Sequence, residues 1–202
     1  RNYFEGLKQV IKSIKYIKNF QHLFFISSTS VYGENSENFM DEFSETIPKG
    51  FRGNILLKTE KLMHHQQFSY TILRLSGIYG SGRNYMVKLS QEEENWPISN
   101  RWTNRIHEDD AANFITFLLH QCLDGTVPEK LYLVTDQESV DLFKLLNWIR
   151  KKLNLKNNIN ITSSPVLGRR LKSSIIPSLK FKYKYPSYKF GYEDLISEES
   201  YD

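Results

Sequence analysis

A single cysteine, Cys122, is all the thiol chemistry in this 202-residue sequence. One thiol forms no intrachain disulfide, so the fold must rest on its core. A lone thiol inside an apolar helical pattern suits a reducing cytoplasm, which is the expected location. Long hydrophobic runs are missing as well. The longest, around Leu23–Ile26 and Phe117–Leu119, fall far short of the roughly 20 apolar residues a bilayer span requires, so no membrane partner is expected. The opening Arg1-Asn-Tyr-Phe-Glu5 lacks the basic-then-apolar order of a signal peptide. There is no Gly-x-Ser-x-Gly string, which removes the hydrolase nucleophile elbow. There is no Gly-x-x-Gly-x-x-Gly string either, and so no glycine loop of the kind whose backbone N–H groups cradle a pyrophosphate. Acidic residues vanish from one stretch: Arg150 to Lys189 holds eleven Lys and Arg and no Asp or Glu. The other sixteen basic residues face all twenty-three acidic ones, and the net charge is +4. Such a basic third could meet an anionic small molecule, a nucleic acid, or water alone.

What is present reads as a soluble globular chain, 40% hydrophobic and 25% charged. Tyr3 to Lys18 sets Phe4, Leu7, Val10, Ile11, Ile14 and Ile17 near helical spacing. His22 to Ser27 is a short continuous apolar run, the mark of a strand buried on both faces. Gly33 to Gly50 is polar and reads as loop, Ile55 to His65 as helix, and Tyr70 to Leu75 as a second buried strand. Asn84 to Glu94 and Ala111 to Leu119 read as helices, the latter with Asp109 or Asp110 as N-cap. Leu131 to Val134 reads as strand and Val140 to Leu153 as helix. Strands alternating with helices imply right-handed βαβ units and a mostly parallel sheet. In such sheets ligands sit beyond the carboxyl ends of the strands. Ser27 to Thr29 and Ser76 to Ile78 occupy two of those ends.

Two motifs lie there. Phe25-Ile-Ser-Ser-Thr-Ser-Val-Tyr-Gly33 breaks from strand into hydroxyls and a Tyr-Gly turn, and Leu73-Arg-Leu-Ser-Gly-Ile-Tyr-Gly80 ends alike. Together they resemble the second half of an extended short-chain dehydrogenase/reductase, the family of NAD(P)-dependent sugar epimerases and dehydratases. Five further stretches resemble an atypical subgroup of that family. They are Gly53-Asn-x-Leu-Leu-x-x-Glu60, Asn104-Arg-Ile-His-x-Asp-Asp110, Leu131-Tyr-Leu-Val-Thr-Asp136, Gly168-Arg-Arg-Leu-Lys-Ser-Ser174 and Tyr185-Pro-Ser-Tyr-Lys-Phe-Gly191. The resemblance therefore runs over nearly the whole chain. It implies an α/β fold, a partial Rossmann-like parallel sheet with a small α/β substrate-side subdomain. Residues 1–83 would form the dinucleotide-binding half, with 104–155 adding a helix and a strand, while 84–103 and 156–202 face the substrate. It also implies that further strands and a glycine loop precede Arg1, that NAD or NADP is the cofactor, and that the first two helices can pair in a homodimer.

The resemblance assigns roles residue by residue. Ser28 would hydrogen-bond the reacting oxygen of a small anionic, nucleotide-sugar-like substrate. Thr29 and Ser30 stand where dehydratases of the family carry an Asp-Glu pair, and hydroxyls cannot be that acid and base. Ser27, Ser76, Gly77 and Ile78 would lie beside the cofactor, and Thr29, Arg83 and His107 beside the substrate. The family's Tyr-x-x-x-Lys pair is absent: alignment on Glu60 puts Arg52 and Leu56 in its place. Tyr32 is the phenol nearest Ser28 in sequence and the remaining candidate base. The chain is thus expected to be an NAD(P)-dependent epimerase/dehydratase or oxidoreductase with an incomplete catalytic set, or a non-catalytic binding module of that fold. A strand-end cap is the plainer reading of Ser28. No metal is expected at His107, Asp109 and Asp110, which lie in one short turn. No nucleic-acid partner is expected from Tyr183, Tyr185 and Tyr188 among their lysines.

Overall fold

The computed structural model describes residues 2–156, 165 and 167–199. Parts of the substrate-side segment expected at 156–202 lie outside the described residues. Helix α1 (Asn2–Ile14) leads into strand β1 (Leu23–Ser28), then β2 (Asn35–Met40) and helix α2 (Phe51–His64). Strand β3 (Tyr70–Leu75), β4 (Gly77–Tyr79), helix α3 (Tyr85–Gln91), β5 (Arg101–Thr103) and β6 (Arg105–His107) follow. Helix α4 (Glu108–Leu123), strands β7 (Leu131–Val134) and β8 (Val140–Asp141), helix α5 (Leu142–Lys152), β9 (Leu167–Leu171) and helix α6 (Tyr188–Glu199) complete the order.

Strands β1, β3 and β7 form a parallel sheet in the order β1-β3-β7. All six residues of β3 are buried, as a central strand with helices on both faces requires. One face packs Phe25, Ile72 and Leu133 with Leu7, Leu56 and Met63 from α1 and α2. The other packs Leu73, Leu75, Tyr132 and Val134 with Phe114 and Leu118 from α4. Every crossover returns to a parallel neighbour, so the carboxyl ends of β1 and β3 share one edge.

A second sheet has the order β2-β9-β5-β8. It brings chain from four distant places together beside the carboxyl ends of the first. Gly168 makes the β9–β5 pairing possible: it takes φ +90°, and a Cβ there would lie 2.5 Å from the Trp102 carbonyl. Helices α3 and α5 pack beneath this sheet through Leu89, Leu142, Phe143 and Leu146.

Three expectations are corrected. The stretch Gly33–Gly50 is not all loop, because β2 pairs with β9 through backbone despite its polar side chains. The helix expected from Val140 begins at Leu142, since Val140 pairs with Thr103. Neither Asp109 nor Asp110 caps α4. His107 does so, accepting from the Asp109 N–H at 3.2 Å.

Candidate active site: two clefts that share a hydroxyl seam

Two clefts open at the carboxyl ends of β1 and β3. The larger, about 640 Å³, is lined by Ser28, Thr29, Ser30, Ser76, Gly77 and Arg105, and by Arg101, Arg169 and α3. The other, about 450 Å³, lies toward α1 and α2 and is lined by Ser27, Ser28, Arg52, Leu56, Ser76, Ile78 and Arg83, with Tyr3. Ser28 and Ser76 line both. The two serines form a seam.

Ser28 caps the 3-10 turn Thr29–Val31 by accepting from the Ser30 N–H at 3.2 Å. That bond uses a lone pair and leaves the hydroxyl proton to donate. Cap and site hydroxyl are therefore compatible roles for one side chain. Ser30 Oγ and Ser76 Oγ are buried and have no hydrogen-bond partner among the described residues. Buried orphan hydroxyls are uncommon and call for an explanation such as a ligand or a water.

A buried ion pair holds the seam from behind. Glu60 on α2 accepts from Arg74 Nη2 at 2.7 Å and Nε at 3.2 Å, and from Ser27 Oγ at 2.5 Å. Arg74 in turn lies over the Tyr32 ring, 4.8 Å from its centroid. Tyr32 is fully buried and lines neither cleft. Burial is the chief influence on its phenol and raises it above its ordinary value, against the nearby Arg74 charge. A base must reach the substrate, and neither cleft is lined by Tyr32.

Arg52 and Leu56 do line the α1–α2 cleft beside Ser28. The place that the family motif gives to a phenol and a lysine is thus held by a guanidinium and an alkyl group. Lys58 turns away and sits over the Phe4 ring at 4.6 Å. Arg83 lies at the rim of the same cleft, exposed and 3.7 Å from Glu108. Gly77 lies on the seam, where a Cβ would be 2.7 Å from Arg105 Nη1.

The larger cleft is basic. Arg169 on β9 donates from Nε to the Tyr32 carbonyl at 2.9 Å and lines the wall near Glu34. Arg101 and Arg105 line the same space. Four of the other ten basic residues between Arg150 and Lys189 are spent on ion pairs: Arg150 with Glu93, Lys152 with Glu193, Lys184 with Asp109, and Lys189 with Glu138. Those pairs disperse the charge that composition alone would offer to a polyanion.

His107 lies outside both clefts. Its ring packs 3.9 Å from the Tyr185 ring and 5.1 Å from Tyr79, centroid to centroid. Tyr79 stacks on Tyr192 at 4.4 Å, and a Cβ on Gly191 would overlap its hydroxyl at 2.2 Å. The Ile-Tyr-Gly, Ile-His and Tyr-Pro-Ser-Tyr motifs therefore meet in one packed cluster that closes the tail onto β4. Asp110, fully buried, secures the closure by accepting from the Lys184 and Tyr185 N–H groups at 2.7 and 2.8 Å. Glu42 was not singled out in the sequence. Buried, it accepts from Leu133 N–H at 3.0 Å and Ser173 Oγ at 2.6 Å, tying the sheet to the tail. In sequence it is one of an Asp-Glu pair between Met40 and Phe43, which carries no sign of burial. Among the described residues no group of His, Cys, Asp and Glu could hold a metal ion.

His107 gives a pH dependence. Burial holds its imidazole below the ordinary 6.5, so the folded chain binds fewer protons there than the unfolded chain. The stability it contributes is present above the unfolded pKa and is lost as pH falls toward the folded one. Melting temperature should fall between pH 7 and 5, and His107→Asn, which can still accept at the cap, should flatten that fall. An unchanged slope in the variant would assign the effect elsewhere.

Residues 16–188 match the RmlD substrate binding domain. No curated protein matches the chain by sequence. Among solved structures, a Methylobacillus flagellatus protein provisionally described as an NAD-dependent epimerase/dehydratase is 38% identical, with TM-score 0.90. The match covers 98% of this chain and 71% of that one. UDP-glucuronic acid 4-epimerase from Bacillus cereus, solved with UDP-glucuronic acid and NAD, is 20% identical. It superposes with TM-score 0.74 over 98% of this chain and 68% of that one, a likeness of fold. UDP-N-acetylglucosamine 4-epimerase from the same organism is 17% identical, with TM-score 0.73 over 97% of this chain and 70% of that one. The chain belongs to the RmlD substrate binding domain family, and with it to the NAD-dependent epimerase/dehydratases that its Ile-Tyr-Gly and Tyr-Pro-Ser-Tyr motifs resemble.

Proposed function

We propose that the basic cleft binds a nucleotide-sugar-like anionic substrate, that NAD or NADP presents its nicotinamide from the α1–α2 cleft, and that the two meet at Ser28. The observation that carries this reading is the seam: Ser28 and Ser76 line both clefts. The α1–α2 cleft suits the nicotinamide end of a dinucleotide, with the buried orphan Ser76 Oγ beside the apolar Leu56, Leu75 and Ile78. When bound, the cofactor supplies the acceptor or donor for a hydride. Ser28 donates its free proton to the reacting oxygen and fixes the carbinol carbon against the seam. Thr29 stands in the substrate cleft beside it, and Arg101 and Arg169 meet the phosphates, Arg as a planar fork suited to oxyanions. In this arrangement residues 1–83 carry the cofactor side. Residues 84–103 and β9 carry the substrate side, with β8 and α5 packed against them. The exposed Val10 and Phe51 on α1 and α2 are the face for a second copy of the chain.

Proton transfer is the weak point of this site. Arg52 stays charged at any working pH, and Leu56 has no proton. Turnover on common nucleotide sugars is therefore slow or nil, and binding without turnover is the second reading that the same two residues favour. Substrate binding is testable without the cofactor. Calorimetric titration with UDP should show binding to the chain that Arg169→Met weakens by about ten-fold, the worth of one charge-assisted contact. UDP affinity untouched by Arg169→Met would remove this cleft as the substrate site.

A further inference from the structure

The floor of the basic cleft holds a cation with no ion pair within 4.0 Å among the described residues. Arg105 is nine-tenths buried. Among the described residues no carboxylate oxygen comes within 4.0 Å of its guanidinium, and its Nε and Nη2 have no hydrogen-bond partner. The other buried arginines are matched: Arg74 has Glu60, and Arg150 has Glu93 and the carbonyls of Ser90 and Lys156. A buried cation without a partner is strongly unfavourable, and its partners are expected to come from somewhere. Asp136 is the carboxyl that feels Arg105 most directly. It is itself buried with Oδ2 unpartnered, and burial pushes it above the usual carboxylate range against the pull of Arg105, beside which the Tyr192 phenol also lies.

Gly77 shows where the guanidinium reaches. A Cβ at that position would stand 2.7 Å from Arg105 Nη1, so the cation lies against bare backbone on the seam, next to Ser76. Ser30 and Ser76 line the same cleft with unpartnered hydroxyls. This is the reacting end of the cleft. Arg101 is exposed and Arg169 half-buried, toward the opening.

We propose that Arg105, with Ser30 and Ser76 as further donors, is the receptor for a carboxylate carried at the reacting end of the substrate, separate from the anionic group met by Arg101 and Arg169. One guanidinium edge matches one planar carboxylate in charge and shape. A phosphate monoester would bring close to two negative charges to a floor with a single cation. A neutral sugar would bring Arg105 no counter-charge. The inference takes the location of the cleft from the substrate reading above and adds the chemical class that the floor selects.

UDP-glucuronate and UDP-glucose differ at one carbon, carboxylate against hydroxymethyl, and calorimetry with the 202-residue chain compares them directly. UDP-glucuronate should bind about ten-fold tighter or more. Arg105→Met should erase the difference by weakening UDP-glucuronate far more than UDP-glucose. Equal affinity of the unmodified chain for the two ligands, or equal weakening of both by Arg105→Met, overturns the proposal. The two-ligand comparison decides even where Arg105→Met fails to fold. Where UDP and both sugars fail to bind, the substrate reading falls, and the carboxylate site is read by itself. Free glucuronate, and not glucose, should then shift the Arg105 Nε–H resonance in a nitrogen-15 spectrum, and an unmoved resonance refutes it.

Discussion

Glu60→Ala should cost about 3–5 kcal/mol of folding stability, the range for removing one partner of a buried ion pair. Glu60 is fully buried and accepts from both Arg74 and Ser27. Its loss strands the Arg74 guanidinium in the core and frees Ser27 at the end of β1. Against the roughly 5–15 kcal/mol by which domains of this kind are stable, that is a large fraction. The double variant Glu60→Leu, Arg74→Met should recover most of it, because two apolar side chains leave no uncompensated charge. Urea midpoints of the two single variants and the double give the coupling. Independent, small losses in the singles would mean that the pair is not what holds the seam.

Gly53→Ala should cost about 2–3 kcal/mol, at the upper end for overpacking. The first turn of α2 runs against the hydroxyl turn so closely that a Cβ at position 53 would lie 2.2 Å from the Ser30 carbonyl and 2.8 Å from Pro48 Cβ. The contact is with backbone, so no side chain can swing away; helix and turn must separate. That movement carries Arg52 on one side and Ser28 and Ser30 on the other. Gly53→Ala should therefore weaken UDP binding as well as stability, whereas Gly6→Ala, with open space around it, should do neither. A melting temperature for Gly53→Ala within a degree of the unmodified chain would show that the turn yields without cost.

Much of the fold was legible because its strands are apolar for a reason. Tyr70–Leu75 and Leu131–Val134 fall where the sequence places them, and all six residues of the first are buried, as a doubly covered parallel strand requires. Strand β2 was illegible because its pairing with β9 uses backbone groups, and Asn35-Ser-Glu-Asn carries no periodicity that would show it. The α4 cap went to His107 because the helix starts two residues earlier than an Asp109 cap would set it, which frees Asp110 to hold the tail instead.

The site divides in the same way. Ser28 and Ser76 could be read from strand ends alone, since parallel topology puts those ends on one edge. Arg101, Arg105 and Arg169 could not. They are separated by up to 68 positions and converge only when β9 pairs with β5. The basic stretch from Arg150 to Lys189 gave the sign of the charge, but four of its eleven members are tied to carboxylates. Motif residues such as Tyr32 and His107 suggest chemistry in a linear reading because their side chains can titrate. In the fold one lies under Arg74 and the other between two tyrosine rings.

The central claim is that two clefts share the Ser28–Ser76 seam and that the basic one takes the substrate. Crystals of the chain grown with a UDP-sugar test it most directly. The account predicts density for the diphosphate beside Arg101 and Arg169, with the hexose reaching Ser28 and Ser76. Density for the ligand in the α1–α2 cleft, or on the lysines of the tail, would contradict it.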